Sequence, residues 1–354
     1  AGSRAEDAHS RYALPPPTAA MPDISVVTVT GASGFIGAHI VRECLERGYT
    51  VHACVRNKAD PKNQFLLDLA KGIGKGKIQL FSADLLTMGA YDEAVAGVDA
   101  VIHAAAQVDP GKIKDPMKDM VEPSTEGVRN ILGSVNKFPS VKHYVHTSSM
   151  AAVGIVRGRP STEEDWSTVT MQEIPYNFAK TEAEKLVWSM TAGKPYTVSC
   201  INPSMVFGPC LAKPHAKASP YVFRQALFGN KQPNVPYTTV DVREVAAAHV
   251  EAMLRPAANG KRFILDGDEP SIAVNDLIQK CREMFPQYLF DNAPGPKGWD
   301  EKLFGKLPSR SGTDNTRSKE VLGISYRPMD QTIRDSVEAI VKNGFVPVRT
   351  ASKL

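Results

Sequence analysis

The sequence predicts an α/β fold, a doubly wound parallel sheet with a small C-terminal lobe. Three observations support it. Short apolar runs alternate with helix-like stretches from residue 25 to about residue 200, as in strands that are buried on both faces and joined by crossover helices. A glycine-rich stretch, "TGASGFIG" (30–37), joins the first run to the first helix. After residue 202 the alternation ends in a proline-rich segment, which favours loops and short helices.

The individual elements follow from the same patterns. Six continuous apolar runs are predicted to be strands: residues 25–30, 50–55, 77–82, 100–103, 142–147 and 197–201. The stretches between them have apolar residues at helical spacing and are predicted to be helices: residues 35–47, 61–71, 91–96, 119–137 and 176–190. Right-handed crossovers between parallel strands then make the sheet doubly wound.

The C-terminal part is less regular. Residues 237–254 read as a short strand and a helix, residues 261–267 as a strand, and residues 273–285 and 330–345 as helices. Residues 1–20 are rich in Ala and Pro and precede Met21, so they are expected to be a cloning remnant or a disordered tail. A transit peptide is the alternative, which Glu6 and Asp7 disfavour. We therefore expect a main domain and a smaller lobe followed by a tail: residues 21–201 with 237–258, residues 202–236 with 259–345, and residues 346–354.

Composition excludes several classes of protein. The 354 residues can bury a substantial core, and no run approaches the roughly 20 apolar residues of a membrane-spanning helix. The net charge is +4, with basic residues scattered among acidic ones, so no nucleic-acid partner is predicted. The five cysteines lack CxxC spacing. His143 and His146 are expected on opposite faces of a strand, and no metal site is predicted.

Three glycines indicate a bound dinucleotide. Gly31, Gly34 and Gly37 form a GxxGxxG pattern between a predicted strand and a predicted helix. In a dinucleotide-binding turn the first glycine permits the tight turn, the second lets a pyrophosphate approach the backbone, and the third allows close packing of the helix. The main domain is therefore predicted to be a Rossmann domain, with the smaller lobe binding substrate.

Arg56, at the end of the second predicted strand, bears on which dinucleotide binds. An acid at this position accepts from the ribose 2′-hydroxyl of NAD and repels a 2′-phosphate. An arginine reverses the preference, because its guanidinium can hold a phosphate through two parallel hydrogen bonds. Lys58 or Lys62 can add a second charge. We therefore predict NADP(H), with a solvated surface arginine as the alternative.

A second set of residues indicates proton transfer. Tyr176 and Lys180 are four residues apart in a predicted helix and so share one face. A nearby cation favours the phenolate and lowers the pKa of a tyrosine from roughly 10. Ser149 follows the fifth predicted strand and can hold a substrate carbonyl oxygen while Tyr176 donates a proton. Together with the glycine turn, these residues predict hydride transfer to or from a carbonyl.

Several stretches also match a known family: "VTGASGFIGAHIV", "VRNKADPKNQFLLDL", "ADL" (83–85), "VIHAAA" (101–106), "HTSSMAAVG", "YNFAKTEAE", "NPSMVFGP" and "VDVREVAAAHV". On these the chain resembles the extended short-chain dehydrogenase/reductases, from Met21 to the last helix. Within them it is similar to the dihydroflavonol reductases, the cinnamoyl-CoA reductases and the yeast-type carbonyl reductases.

The resemblance implies particular site residues. Ser149, Tyr176 and Lys180 would be the catalytic triad, and Arg56 and Lys62 would contact the 2′-phosphate. Further cofactor contacts would come from the glycine turn, the adenine side and the nicotinamide side: Gly31, Ser33, Gly34, Phe35, Ile36, Gly37, Asp84, Leu85, Ala104, Ala105, Ala106, Thr147, Tyr176, Lys180, Pro203 and Val206.

Two departures leave the substrate open. Cinnamoyl-CoA reductases usually carry NWYCYGK around the tyrosine, where this chain has "IPYNFAK". Dihydroflavonol reductases place an asparagine where this chain has Gly154. The expected activity is thus NADP(H)-dependent reduction of an aldehyde or ketone, or the reverse, with the substrate set by residues 154–175 and 204–235. Three basic residues either meet a charged substrate tail or lie in a solvated loop: Lys213, His215 and Lys217.

Two other functions are compatible with the fold. One is an epimerase or dehydratase that retains NAD and acts on a sugar nucleotide, which Arg56 disfavours. The other is a non-catalytic NADP-sensing regulator, which an intact Ser149, Tyr176 and Lys180 disfavours. The last three residues, Ser352, Lys353 and Leu354, match a peroxisomal address. We therefore expect binding to the peroxisomal import receptor and a peroxisomal or glycosomal location, with the cytoplasm as the alternative.

Overall fold

The computed structural model describes residues 23–106, 114–230, 232–290 and 312–346. Its strands in chain order are β1 (Val26–Thr30), β2 (Thr50–Val55), β3 (Lys77–Ser82), β4 (Ala100–His103), β5 (His143–Thr147), β6 (Thr197–Pro203), β7 (Met205–Phe207), β8 (Pro236–Tyr237), β9 (Thr239–Asp241), β10 (Lys261–Leu265) and β11 (Ile272–Ala273). The helices are α1 (Phe35–Glu46), α2 (Gln64–Ile73), α3 (Asp92–Val95), α4 (Glu122–Val135), α5 (Met150–Val153), α6 (Pro175–Thr191), α7 (Tyr221–Phe228), α8 (Val242–Leu254), α9 (Val274–Met284), α10 (Thr316–Leu322) and α11 (Met329–Lys342).

Seven strands form one sheet in the order β10-β6-β5-β4-β1-β2-β3, and every adjacent pair is parallel. The order reverses between β1 and β4, so a crevice is expected there at the carboxyl ends of the strands, where ligands bind in such sheets. The predicted doubly wound Rossmann fold is confirmed. The six predicted strands agree with the observed ones to within two residues at each end.

Side chains of the central strands alternate between two cores. On β1, Val27 and Val29 belong to one buried cluster with α1 and α8, and Val26 packs against the other cluster. On β4, Ile102 lies in the first cluster and Val101 in the second, which includes residues of α4 and α6. This two-residue period places α6 on the face opposite α1.

One part of the predicted division into lobes needs correction. The strand predicted at 261–267 was assigned to the smaller lobe, but β10 pairs in parallel with β6 and is the edge strand of the main sheet. The physical reason is burial, because four of the five residues of β10 are buried. A strand that is buried in this way needs a neighbouring strand for its backbone hydrogen bonds and packed elements over both of its faces. Apart from this strand, the division stays a prediction.

Two helix starts differ in detail from the pattern. Met117–Val121 forms a π-helical turn that leads into α4, and Pro61–Asn63 forms a 3₁₀ turn that leads into α2. Within the described ranges, no helix is long and apolar enough to cross a membrane. The predicted N-terminal tail and the terminal tripeptide 352–354 lie outside the described residues.

Candidate active site

The turn after β1 carries the three glycines. Gly31 has a φ of 65°, and a Cβ atom there would lie 2.8 Å from the backbone nitrogen of Ala105. A Cβ at Gly37 would lie 2.1 Å from the carbonyl oxygen of Gly31. Both distances are shorter than real Cβ contacts, so only glycine lets the turn pack this closely on α1 and on the chain after β4.

The start of α1 has the features of an anion site. Gly34 is the N-cap, no side chain caps the helix, and its first turn has no acidic residue. Gly34 is exposed, and a Cβ there would meet one atom within 4 Å, the Gly31 carbonyl oxygen at 3.1 Å. The positive end of this helix therefore faces open space, which fits the pyrophosphate of a dinucleotide.

The neighbouring turn residues differ in what they can offer a cofactor. Ser33 and Ile36 are half-buried, so their side chains partly reach the surface. Phe35 is buried, with its ring 5.8 Å from that of His39. Phe35 can therefore reach a cofactor only through its backbone.

The end of β2 presents positive charge to solvent. Arg56 follows β2 directly and is exposed, and Lys62 is exposed in the 3₁₀ turn that leads into α2. The Lys62 ammonium lies 3.7 Å from the Asp60 carboxylate, a weak contact that leaves the cation accessible. Asn63 donates from Nδ2 to the Asn57 carbonyl at 2.8 Å and so fixes the loop between the two cations.

The predicted adenine-side residues lie after β3. Asp84 is exposed and accepts from the Leu86 backbone N–H at 2.9 Å. Leu85 is half-buried and packs against α4, where a Cβ on Gly127 would lie 2.8 Å from it. Asp84 thus keeps an oxygen at the surface, while Leu85 supplies an apolar side chain beside it.

The ends of β1 and β4 are tied together where the strand order reverses. The Thr30 hydroxyl accepts from the backbone N–H of Ala104 and of Ala105, each at 3.1 Å, and lies 2.8 Å from His103 Nδ1. Since two N–H groups already donate to this oxygen, we assign its proton to His103 Nδ1. Ala104 and Ala105 are thereby held at the crevice, and the exposed Ala106 follows them.

Ser149 follows β5 at the same edge of the sheet. It is the N-cap of α5, and its Oγ accepts from the Ala151 N–H at 3.1 Å. Its carbonyl oxygen accepts from Asn202 Nδ2 at 3.2 Å. The hydroxyl proton of Ser149 is therefore available for donation to a bound oxygen.

Tyr176 and Lys180 lie in the first turns of α6, four residues apart and both half-buried. α6 packs against α5, whose N-cap is Ser149. The charge of Lys180 also reaches the end of β4: burial, with a smaller contribution from Lys180, lowers the pKa of His103 to about 3. The structure therefore brings together Ser149, Tyr176 and Lys180 on elements that meet at the carboxyl edge of the sheet.

The remaining predicted cofactor contacts are less open. The Thr147 hydroxyl lies 2.7 Å from His249 Nε2, and His249 Nδ1 lies 2.7 Å from the Val245 carbonyl. Because that carbonyl requires a donor, Nε2 is the acceptor and Thr147 donates its proton to His249. Pro203 and Val206 are buried next to this edge. Thr147 can thus offer a cofactor only its oxygen lone pairs.

His215 has a role that neither predicted alternative described. It is buried, its Nδ1 accepts from the backbone N–H of Leu211 and of Ala212, and its Nε2 donates to the Ser33 carbonyl at 3.2 Å. Burial lowers its pKa to about 4. His215 therefore supports the glycine turn from inside, and it neither meets a substrate tail nor lies in solvent.

Sequence reasoning also missed Glu184 and Arg262. Glu184 is fully buried, two turns beyond Tyr176, and its carboxylate lies 2.6 Å from the Arg262 guanidinium. A buried pair between a helix and a strand 78 residues apart is the kind of contact that a pattern of polar and apolar residues does not reveal.

Comparisons with known proteins agree with this geometry. The profile of the NAD dependent epimerase/dehydratase family matches residues 27–265. Cinnamoyl-CoA reductase CAD2 of Medicago truncatula is 33% identical over 331 residues, which cover 91% of this chain and 97% of that protein. Dihydroflavonol 4-reductase of Arabidopsis thaliana is 30% identical over 339 residues, covering 91% and 84%.

A solved structure extends the similarity to three dimensions. Gre2 of Candida albicans, solved in complex with NADPH, has a TM-score of 0.76 and 27% identity, with 91% of this chain and all of that chain covered. The glycine turn, the sheet order and these matches lead to one conclusion. This chain belongs to the NAD dependent epimerase/dehydratase family, within the extended short-chain dehydrogenase/reductases.

Proposed function

We propose that this protein is an NADP(H)-dependent oxidoreductase that reduces an aldehyde or a ketone to an alcohol, or catalyses the reverse reaction. The observation that carries the proposal is the packing of α6, which contains Tyr176 and Lys180, against α5, whose N-cap is Ser149, at the edge of the sheet where the glycine turn also opens. The relatives named as reductases, and the similar Gre2 structure with NADPH, support the same reaction class.

Each side chain has a distinct part in this reaction. Bound NADPH supplies the hydride. Ser149 donates a hydrogen bond to the carbonyl oxygen and stabilises the negative charge that develops there. Tyr176 gives its phenolic proton to that oxygen as general acid. Lys180, one helical turn further along, stabilises the phenolate that remains.

The choice of NADP(H) over NAD(H) rests on Arg56 and Lys62. Both are exposed cations beside the end of β2, where the adenine ribose lies in this fold. A 2′-phosphate there gains charge-assisted hydrogen bonds, whereas the 2′-hydroxyl of NAD finds no carboxylate in the position of Arg56.

The surroundings of Tyr176 favour an apolar substituent on the carbonyl. Tyr176 packs against a cluster that contains Met120 and Val121, with Met171 and Phe178 also packed against it. These side chains present no charge for a polar substrate to pair with. We propose that the substrate carries a hydrocarbon or aromatic group next to the carbonyl.

The test is a panel of carbonyl compounds, with the loss of NADPH absorbance as the readout. The panel contains methylglyoxal, benzaldehyde, cinnamaldehyde, an aliphatic ketone and cinnamoyl-CoA, each with NADPH and with NADH. The proposal predicts turnover of at least one compound and higher kcat/KM with NADPH. No turnover of any compound, together with an absorbance spectrum of the purified protein that shows retained NAD, would instead favour the epimerase or dehydratase reaction. No turnover and no retained NAD would favour the NADP-sensing regulator.

From the sequence alone, we further propose import into the peroxisome or glycosome through recognition of Ser352, Lys353 and Leu354. The import receptor reads this tripeptide as an address that requires a free terminal carboxylate. A fluorescent protein fused to the N-terminus should give punctate signal that is lost when Leu354 is removed. Diffuse signal from both fusions would contradict the proposal.

A further inference from the structure

Glu184 lies on the same face of α6 as Tyr176 and Lys180, because the three residues are spaced by four. Its side chain is 0% exposed. Five donor contacts surround the carboxylate: Ser148 Oγ at 2.5 Å, Arg262 Nε at 2.6 Å, Asn202 Nδ2 at 2.8 Å, Arg262 Nη2 at 3.2 Å and Trp188 Nε1 at 3.4 Å.

These contacts suit a group that accepts hydrogen bonds. The arginine, amide and indole nitrogens around Glu184 can only donate, and the Ser148 hydroxyl can donate as well. The guanidinium of Arg262, itself only 6% exposed, balances the charge. Removing one member of such a buried pair leaves the other charge uncompensated, so the two side chains depend on each other.

The carboxylate of Glu184 is connected to Ser149 from two directions. Ser148, the preceding residue, donates its hydroxyl to Glu184. Asn202, at the end of β6, donates from the same Nδ2 to Glu184 and to the Ser149 carbonyl oxygen. The position of the backbone at Ser149 and the position of α6 against the sheet are therefore set by one carboxylate.

The guanidinium of Arg262 also holds a different segment. Its Nη1 donates to the carbonyl oxygens of Glu163 at 2.9 Å and Asp165 at 2.5 Å. It also lies over the Trp166 ring at 3.8 Å from the ring centroid. These three residues belong to the 154–175 segment, which runs from just after the catalytic serine to the start of α6.

We propose that Glu184 and Arg262 are a positioning pair that couples the 154–175 segment to the catalytic residues. The contacts of Glu163, Asp165 and Trp166 hold the Arg262 guanidinium in position. The guanidinium in turn orients the Glu184 carboxylate, and the carboxylate positions α6 relative to Ser149. Substrate contacts made by the 154–175 segment therefore bear on the alignment of Tyr176 with Ser149. This inference rests on the proposed function for its catalytic consequence, but the coupling itself concerns this chain alone.

Two variants and a matched control test the coupling. Glu184→Gln removes the charge and keeps the shape, and Trp166→Leu removes the ring that stacks on Arg262 without altering the buried carboxylate. The control is Glu251→Gln. Glu251 is 5% exposed and pairs with Arg47 at 2.7 Å and with Arg255 at 2.6 Å. Arg47 is the C-cap of α1, at the end of that helix opposite to the glycine turn. The ion pairs of Glu251 therefore resemble that of Glu184 in carboxylate burial and in arginine partners, but they lie away from the candidate site.

The first readout is amide hydrogen exchange in peptides covering residues 160–170 and 175–190. Glu184→Gln and Trp166→Leu are both expected to raise exchange in both peptides, by roughly tenfold where local opening governs exchange. Glu251→Gln is expected to leave both peptides as in the wild type. Unchanged exchange at residues 175–190 in Trp166→Leu would overturn the coupling. Trp166→Leu alone can decide the test if Glu184→Gln does not fold.

The second readout separates positioning from general stability. On the best carbonyl compound of the panel, Glu184→Gln should lower kcat by roughly tenfold or more with the NADPH KM within about threefold, because misalignment affects the transition state more than cofactor binding. Glu251→Gln should lower Tm without this loss of kcat. A kcat for Glu184→Gln equal to that of Glu251→Gln would overturn the catalytic consequence. A wild type inactive on the whole panel would instead contradict the proposed function, while hydrogen exchange still decides the coupling.

Discussion

Replacing Arg56 tests which dinucleotide the protein uses. Arg56 is exposed at the end of β2, so the 2′-phosphate contact proposed for it would lie near the surface. Two unit charges about 4 Å apart interact by about 1 kcal/mol in water and about 4 kcal/mol near a protein surface. Removing the cation should therefore cost between about 5-fold and several hundred-fold in kcat/KM with NADPH, and the carboxylate of Arg56→Asp should add repulsion to that loss.

The assay compares kcat/KM for NADPH and NADH in the wild type, Arg56→Ala and Arg56→Asp. NADH lacks the 2′-phosphate, so its kcat/KM should stay within about threefold in Arg56→Ala, and the preference for NADPH should fall at higher salt. Arg129→Asp is the control, because Arg129 is also an exposed arginine but lies on α4. Equal losses with both dinucleotides would refute the placement of Arg56 at the 2′-phosphate.

Two further predictions concern stability. Gly37→Ala should destabilise the fold by roughly 1–3 kcal/mol, as expected of overpacking, because the added Cβ would collide with the Gly31 carbonyl oxygen. The control Gly133→Ala on α4 has open space around its Cβ and should be neutral or stabilising. Urea unfolding of both variants measures the difference. The free energy of unfolding should fall as pH drops from about 6.5 towards 4, because histidines of the unfolded chain bind protons that the buried histidines of the folded chain do not. The fall is up to about 1.4 kcal/mol per buried histidine per pH unit. Burial lowers the pKa of four histidines to about 3 or about 4: His39, His103, His215 and His249. Burial also lowers the pKa of His143 and His146. It raises the pKa of Glu163 and Glu244, and that of Asp266 to about 6, which opposes the trend, but three carboxyls oppose six imidazoles. Urea midpoints that rise between pH 6.5 and 5 would contradict the prediction.

The strands and the glycine turn were predictable because their signals are local. A continuously apolar run between turn residues specifies a buried strand wherever its partners lie. The glycine pattern likewise needs only the strand before it and the helix after it. The spacing of Tyr176 and Lys180 is also local, and the structure places both on one face of α6.

The missed features all depend on partners distant in sequence. Glu184 meets Arg262 across 78 residues, Thr147 meets His249 across 102, and His215 meets Ser33 across 182. Which buried polar groups pair is decided when the elements pack. The assignment of β10 to the lobe was wrong for the same reason, because only packing shows that β6 has a free edge for it.

Tyr176→Phe removes the group that we propose as the proton donor of an NADPH-dependent carbonyl reduction. The phenylalanine keeps the ring that packs against Met120 and Val121 and removes only the hydroxyl. With the best compound of the panel, kcat should fall by roughly 100-fold or more, the range that general acid catalysis supplies, and the Kd for NADPH should stay within about threefold. Turnover within a few-fold of the wild type, at unchanged NADPH affinity, would contradict the proposed role of Tyr176.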